Sequence, residues 1–313
     1  MDDLAVEQVG VVGLGTMGGS MARHLLAAEY RVVGHDVAQA AAMAFAAAGG
    51  AQAASAAEVA ARADAVILSL PSAAAFEEVT SGADGLLAGA RPGLIVIETS
   101  TLPMAVKEGA RRLLAERGVV LLDCPISGTG AQIRTKDIAI YASGDRAALA
   151  RARPVLATFS RACFDLGEFG NGSKLKFVAN LLVAVHNAAA AEALLVAERA
   201  GLDLEATLQA LTAGAGTSRM LEIRGPLMLG GDYADPTMRV LTFQKDLDII
   251  AGFLREIGCP ALLFAAAAQL NLAALAQGHA NEDTASVFAV LQLLAGAAEP
   301  SSAGAPAPAH YYE

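Results

Sequence analysis

Through the first half of the chain, short and almost wholly apolar runs alternate with longer stretches that carry apolar residues at helical spacing. The runs Val9–Val12, Arg31–His35, Ala65–Leu70, Leu94–Glu98 and Val119–Asp123 read as strands. The segments from about Thr16 to Ala28, Ala38 to Ala48 and Pro103 to Glu116 read as helices between them. Pro71-Ser72 can open a further helix, because serine caps a helix start and proline is excluded only from the interior. Strands this short with so few polar positions are buried on both faces. The pattern therefore predicts a mostly parallel sheet with helices on either side. Ile138–Ala142 and Cys163–Leu166 read as further strands at the end of this region.

The turn between the first strand and the first helix is Gly13-Leu14-Gly15-Thr16-Met17-Gly18. In such a G-x-G-x-x-G turn Gly13 permits the tight bend, Gly15 lets main chain approach a pyrophosphate, and Gly18 lets the helix lie against the strand. Amides of the first helical turn then face the phosphates. Asp36 ends the second strand. A carboxylate there accepts hydrogen bonds from both ribose hydroxyls and repels a 2′-phosphate, so NAD is favoured over NADP. A purely structural strand–turn–helix is the alternative; the flanking strand and Asp36 weigh against it.

After Gly167 the pattern changes. Extended apolar runs at roughly Ser173–Ala200, Asp203–Ala213, Met238–Gly258, Ala261–Gln277 and Thr284–Ala298 have helical spacing, with no strand-like run between them. The fold expected is an α/β Rossmann-type N-terminal domain followed by an all-α C-terminal domain. The first covers 1–167 and the second 168–299, with 300–313 a disordered tail of Ser-Ser, Gly and alternating Ala-Pro. Gly170-Asn171-Gly172 marks the junction, and a site is expected in the cleft there.

Composition narrows the function classes. The 313 residues suffice for two cores, and 55% hydrophobic with 5% aromatic residues suits helices packed through alanine. A formal charge of −10 argues against nucleic acid or an anionic membrane as partner. Phe177–Ala197 is apolar enough to consider as a membrane span, but Asn180, His186, Asn187 and Glu192 interrupt it. Cys124, Cys163 and Cys259 lack metal or disulfide spacing and read as buried small side chains in a reducing, cytoplasmic compartment. The five histidines form no metal-ligand cluster, and no metal is expected. Asp2, Asp3 and Glu7 precede the first strand, unlike a signal peptide.

Lys176 and Asn180, four apart, share one face of the helix beginning near Ser173. A lysine can exchange an alcohol proton while NAD takes up hydride, and an asparagine can orient the oxygen or the ammonium without adding charge. Desolvation or a neighbouring cation such as Lys245 would ease proton loss from Lys176. Spacing alone equally allows a solvated lysine beside an ordinary helix asparagine.

Several spaced segments together resemble the β-hydroxyacid dehydrogenase family, which includes 3-hydroxyisobutyrate dehydrogenase and tartronate semialdehyde reductase. Gly13–Ala22 is similar to its G-L-G-x-M-G-x-x-M-A opening, and Thr99-Ser100-Thr101 with Pro103 to its S-T-x-x-P segment. Asp123–Gly130 is similar to D-A-P-V-S-G-G, and Gly170–Asn180 to G-x-G-x-x-x-K-x-x-x-N. Glu192-Ala193, Gly201-Leu202-Asp203, Lys245-Asp246 and Gly278–Ser286 extend the match over approximately residues 8–290.

The resemblance implies that Lys176 donates and accepts the proton and that Asn180 positions it and the substrate. It implies that Ser127, Gly128 and Thr129 hold a substrate carboxylate. Gly13, Leu14, Gly15, Thr16, Met17 and Gly18 would line the pyrophosphate side, Asp36 the adenosine ribose, and Leu70 and Pro71 the dinucleotide. Thr101 would approach both substrate and nicotinamide, and Lys245 would border them, with Asp246 and Asp283 in support. The reaction implied is reversible hydride transfer between NAD and a small 3-hydroxy acid or its semialdehyde, by a homodimer or homotetramer.

The chain departs from the family pattern at two positions. Thr129 replaces the second glycine of S-G-G, which narrows the pocket or adds a hydroxyl donor. Ala179 stands where many members carry asparagine. Arg134 is either a reader of an acidic distal group or a solvated surface charge. The alternatives to the reaction are an NADPH-dependent semialdehyde or imine reductase and a dinucleotide-binding protein without turnover. Lys176 and Asp36 argue against the first, and the substrate loop against the second.

Overall fold

Six parallel strands form the first sheet in the computed structural model, which describes residues 6–296. They are β1 (Gln8–Val12), β2 (Arg31–His35), β3 (Ala51–Gln52), β4 (Ala65–Leu68), β5 (Ile95–Glu98) and β6 (Val120–Asp123). Their spatial order is β3-β2-β1-β4-β5-β6. The chain leaves β1 towards one edge and then crosses back to β4, so β1 and β4 flank the point where the order reverses. Ligands bind such sheets beyond the carboxyl ends of those two strands.

The connecting helices are α1 (Thr16–Ala27), α2 (Gln39–Ala47), α3 (Ala56–Arg62), α4 (Ala73–Ser81), α5 (Leu86–Gly89) and α6 (Met104–Ala115). Side chains alternate along each strand and feed two cores. Ile67, Ile95 and Ile97 pack with Met21 and Leu25 of α1. Val66, Leu68 and Val96 pack with Val59, Phe76 and Leu114 on the other face. Gly10 keeps α3 close to β1, since a Cβ there would lie 2.4 Å from Val59 Cγ1.

A second, three-stranded sheet follows: β7 (Ile126–Ser127), β8 (Ala139–Ala142) and β9 (Ala162–Asp165), with α7 (Gly130–Arg134) and α8 (Arg146–Ala157) between them. β7 pairs antiparallel and β9 parallel with β8. Main-chain bonds of 2.9 and 2.8 Å between Asp123 and Ser143 join this sheet to the end of β6.

The remaining elements are helical: α9 (Asn171–Arg199), α10 (Leu204–Ala213), α11 (Arg219–Gly230), α12 (Val240–Glu256), α13 (Leu262–Ala276), a 3-10 turn at Thr284–Ser286 and α14 (Val287–Leu294). Asp203 and Ser218 cap α10 and α11 by accepting from Ala206 N–H and Leu221 N–H. The described chain divides into two compact units. One runs to Leu181 and includes Asp246–Pro260; the other comprises Leu182–Lys245 and the described residues from Ala261 onward. The core of the second contains Ala190, Ala191, Leu194, Leu221, Met228, Val240 and Phe288. The expectation of a disordered tail at 300–313 concerns residues outside those described.

α9 is long and apolar enough to cross a membrane by length and composition. Two of its polar side chains are engaged within their own units: Asn180 Nδ2 donates to Asp246 and Asn187 Nδ2 to the Thr284 carbonyl, both at 2.9 Å. The cysteines need a correction. Cys124 is buried, but Cys163 is half-buried and Cys259 exposed, because Cys259 follows the end of α12 beside Gly258 in a turn with φ +64.

Candidate active site

β1 ends in a turn that only glycine can make. Gly13 has φ +88, and its N–H donates to the His35 carbonyl at 3.0 Å. A Cβ on Gly13 would stand 2.2 Å from the Ser69 carbonyl oxygen, and one on Gly18 only 1.8 Å from the Gly13 carbonyl oxygen. Gly15 is different. It is exposed, and nothing lies within 4 Å of the place a Cβ would take, so its backbone is open to a ligand. α1 starts directly after it without a side-chain cap, and its first-turn amides suit an anion. The residues present therefore fit a dinucleotide pyrophosphate.

The acidic residue at the end of β2 is seated over this turn. Leu14 N–H donates to Asp36 Oδ2 at 2.6 Å and Ala38 N–H to Oδ1 at 2.7 Å. A carboxylate has about four acceptor sites, so capacity remains for ribose hydroxyls. Ser69 N–H donates to the Val12 carbonyl at 3.0 Å, which brings Leu70 and Pro71 beside the glycine turn. Leu70 N–H donates in turn to Ser100 Oγ at 2.8 Å, next to half-buried Thr101.

The segment after β6 is shaped by what its residues cannot avoid. A Cβ on Gly128, with φ +148, would come 2.5 Å from Ile138 Cγ2. Ser127 lies in β7, half-buried. Thr129 is neither a simple narrowing nor an uncommitted hydroxyl, because it caps α7 in a reciprocal box. Gln132 N–H donates to Thr129 Oγ1 at 3.4 Å, and Thr129 N–H donates to Gln132 Oε1 at 3.0 Å. Its amide is therefore spent, while its hydroxyl hydrogen is not fixed by the box. α7 is pinned to α1 by a 2.8 Å bond from His24 Nε2 to the Ile133 carbonyl. Arg134 is exposed.

Lys176 and Asn180 lie on α9, and both are buried, at 8% and 5% exposure. That burial removes the solvated-surface alternative. Phe177 between them packs against Phe253, the rings tilted by 55° with centroids 5.2 Å apart. The Asp246 carboxylate takes the Asn180 amide nitrogen, so Asn180 Oδ1 is the atom turned to accept. Lys245 is half-buried in the second unit.

Sequence patterning missed a buried polar network beneath these segments. Lys107 Nζ donates to the Ser100 carbonyl (2.8 Å), Asp123 Oδ1 (2.8 Å) and Ser173 Oγ (3.0 Å). Ser173 Oγ donates to Asp123 Oδ1 and Ser173 N–H to Oδ2, both at 2.7 Å. Ser100 N–H donates to Glu98 Oε1 at 2.6 Å. Burial pushes the Glu98 carboxyl up to about 7, with Lys107 pulling the other way. Burial also opposes the Lys107 ammonium, but Asp123 and Glu98 outweigh it and hold it above the ordinary lysine value. One signal was available. Lys107 shares the buried stripe of α6 with Ala110 and Leu114, where an apolar residue is expected.

Both halves of the chain match known proteins. Residues 8–167 match the NAD binding domain of 6-phosphogluconate dehydrogenase, and 170–291 match the NAD-binding domain of NADP-dependent 3-hydroxyisobutyrate dehydrogenase. L-threonate dehydrogenase of Cupriavidus necator is 38% identical over 283 residues, 90% of this chain and 95% of its own. 3-Hydroxyisobutyrate dehydrogenase from Salmonella typhimurium superposes with a TM-score of 0.82 at 33% identity, covering 90% of this chain and 99% of its own. The Mycobacterium tuberculosis 3-hydroxyisobutyrate dehydrogenase, described with L-serine, gives 0.83 at 31%, covering 91% and 99%. The chain therefore belongs to the Rossmann-type β-hydroxyacid and semialdehyde dehydrogenase family, as an NAD(P)-binding oxidoreductase of small hydroxy-acid or semialdehyde substrates.

Proposed function

We propose that this protein is an NAD-dependent dehydrogenase of a small 3-hydroxy acid, working reversibly with the corresponding semialdehyde. The observation that carries the reading is the buried Lys176–Asn180 pair, with the Asn180 amide held by Asp246. Nicotinamide, when bound, accepts hydride from the carbinol carbon or returns it. Lys176 takes the hydroxyl proton during oxidation and restores it to the oxygen during reduction. Asn180 Oδ1 accepts from the Lys176 ammonium or the substrate hydroxyl and so fixes their mutual direction. The Ser127 hydroxyl and Gly128 amide hold the carboxylate, with the Thr129 hydroxyl as a further donor. Thr101 and Lys245 border the reacting end. Gly13–Gly18 receive the pyrophosphate, Leu70 and Pro71 flank it, and Asp36 receives the two ribose hydroxyls and disfavours a 2′-phosphate.

The substrate class is supported by relatives named for L-threonate and 3-hydroxyisobutyrate. The test is a matched kinetic comparison of NAD and NADP with 3-hydroxyisobutyrate, glycerate, L-threonate and 4-hydroxybutyrate. The expected result is turnover with NAD of one or more of the first three and a poorer rate with the last, whose hydroxyl lies one carbon farther from the carboxylate. A clear preference for NADP overturns the cofactor assignment, and NAD binding without turnover of any hydroxy acid overturns the reaction.

A further inference from the structure

Lys107 is wholly buried, and its three ammonium hydrogens meet three acceptors: the Ser100 carbonyl, Asp123 Oδ1 and Ser173 Oγ. It therefore has no donor left for a ligand. Its acceptors stand on three separate segments. Ser100 precedes Thr101 in the turn after β5. Asp123 ends β6 and leads into Ser127–Thr129. Ser173 lies in the first turn of α9, three residues before Lys176.

The tie to α9 is reinforced from a second side. Asp123 Oδ2 accepts the Ser173 N–H, and Ser143 Oγ accepts the Gly172 N–H at 3.0 Å. There is no slack at this point, since a Cβ on Gly172 would stand 2.2 Å from the Tyr141 carbonyl oxygen. A buried ion pair adds little stability over apolar packing of the same volume. What it does supply is direction, here along three bonds to three segments.

Building on the function proposed above, we infer that Lys107, acting with Asp123, is a positioning residue: it sets the first turn of α9 so that Lys176 meets the substrate in register with Thr101 and the Ser127–Thr129 segment. An error of about 1 Å in such a placement costs on the order of 100-fold in rate. Binding of the dinucleotide at Gly13–Gly18 and Asp36 does not depend on it.

The test compares the parent with Lys107→Met/Asp123→Asn, which removes the pair without orphaning a charge, and with S173A, which removes one hydroxyl. NAD affinity is titrated to count competent sites, and kcat per site is measured with the fastest hydroxy acid of the panel. The primary isotope effect from deuterium at its carbinol carbon and the amide exchange of the first α9 turn are recorded alongside. We expect kcat per site to fall at least ten-fold, NAD affinity to hold within two-fold, the isotope effect to rise, and first-turn amides to exchange faster.

A merely structural role would reduce the number of competent sites and leave kcat per site and the isotope effect unchanged; that result overturns the inference. Should the double variant fail to fold, the S173A measurements decide between the two outcomes alone. K176A run in parallel separates the two claims. If K176A is inactive while S173A matches the parent, the positioning role alone falls. If K176A keeps parental turnover, the proposed reaction falls with it.

Discussion

Among the described residues each compact unit contains a buried ion pair, and the two are built differently. In the first, Lys107 and Asp123 meet at 2.8 Å, and every hydrogen of the ammonium has an acceptor. In the second, Arg224 Nε stands 3.5 Å from Asp283 Oδ1 and makes no hydrogen bond. Asp283 spends itself on backbone instead. Its carboxylate accepts from Thr237 N–H at 2.8 Å, Met238 N–H at 3.2 Å and Ala285 N–H at 2.9 Å. Those bonds and the nearby cation hold its carboxyl below the usual range against the opposing effect of burial. The first pair ties together the segments to which the proposed chemistry is assigned; the second staples the start of α12 to the turn before α14.

Breaking the second pair should have the largest effect on stability. D283A strands the Arg224 charge and several amides, and is expected to cost about 3–5 kcal/mol in urea unfolding. A D283A protein of parental stability would show that the staple is not what holds that turn.

The first pair is sharpened through its neighbour Glu98, whose carboxyl is raised from 4.5 to about 7. The folded state holds this proton more tightly than the unfolded chain does. The stabilisation is therefore full below about pH 4.5 and is lost as pH rises through about 7, by roughly 3 kcal/mol at most. E98Q keeps an acceptor for Ser100 N–H and loses the titration, so its stability should be flatter than the parent's between about pH 5 and pH 8. Parallel profiles for the two proteins would contradict the protonated carboxyl.

The sequence showed one unit more clearly than the other. Strands β1, β2, β4, β5 and β6 were legible because double burial leaves almost no polar position in them. α3 was missed inside an alanine-rich stretch, although Ser55 and Glu58 have capping-box spacing and Ser55 does accept from Glu58 N–H. α11 has no counterpart among the expected helices, and Pro226 in its interior is a residue that ordinarily interrupts a helix. In the structure the helix continues through Pro226, and Gly225 admits Leu208, whose Cδ1 lies 2.5 Å from a would-be Cβ. Lys176 and Asn180 could be found as one helix face because they are local. The Lys107 network could not, since two of its three partners, Asp123 and Ser173, lie 16 and 66 positions away.

The most direct measurement is steady-state turnover and NAD binding by purified K176A beside the parent. A loss of the order of 10²–10⁴-fold in kcat, with NAD affinity unchanged within two-fold, is the predicted result for removal of the proton-transfer group. Near-parental turnover of the same hydroxy acid by K176A would contradict it.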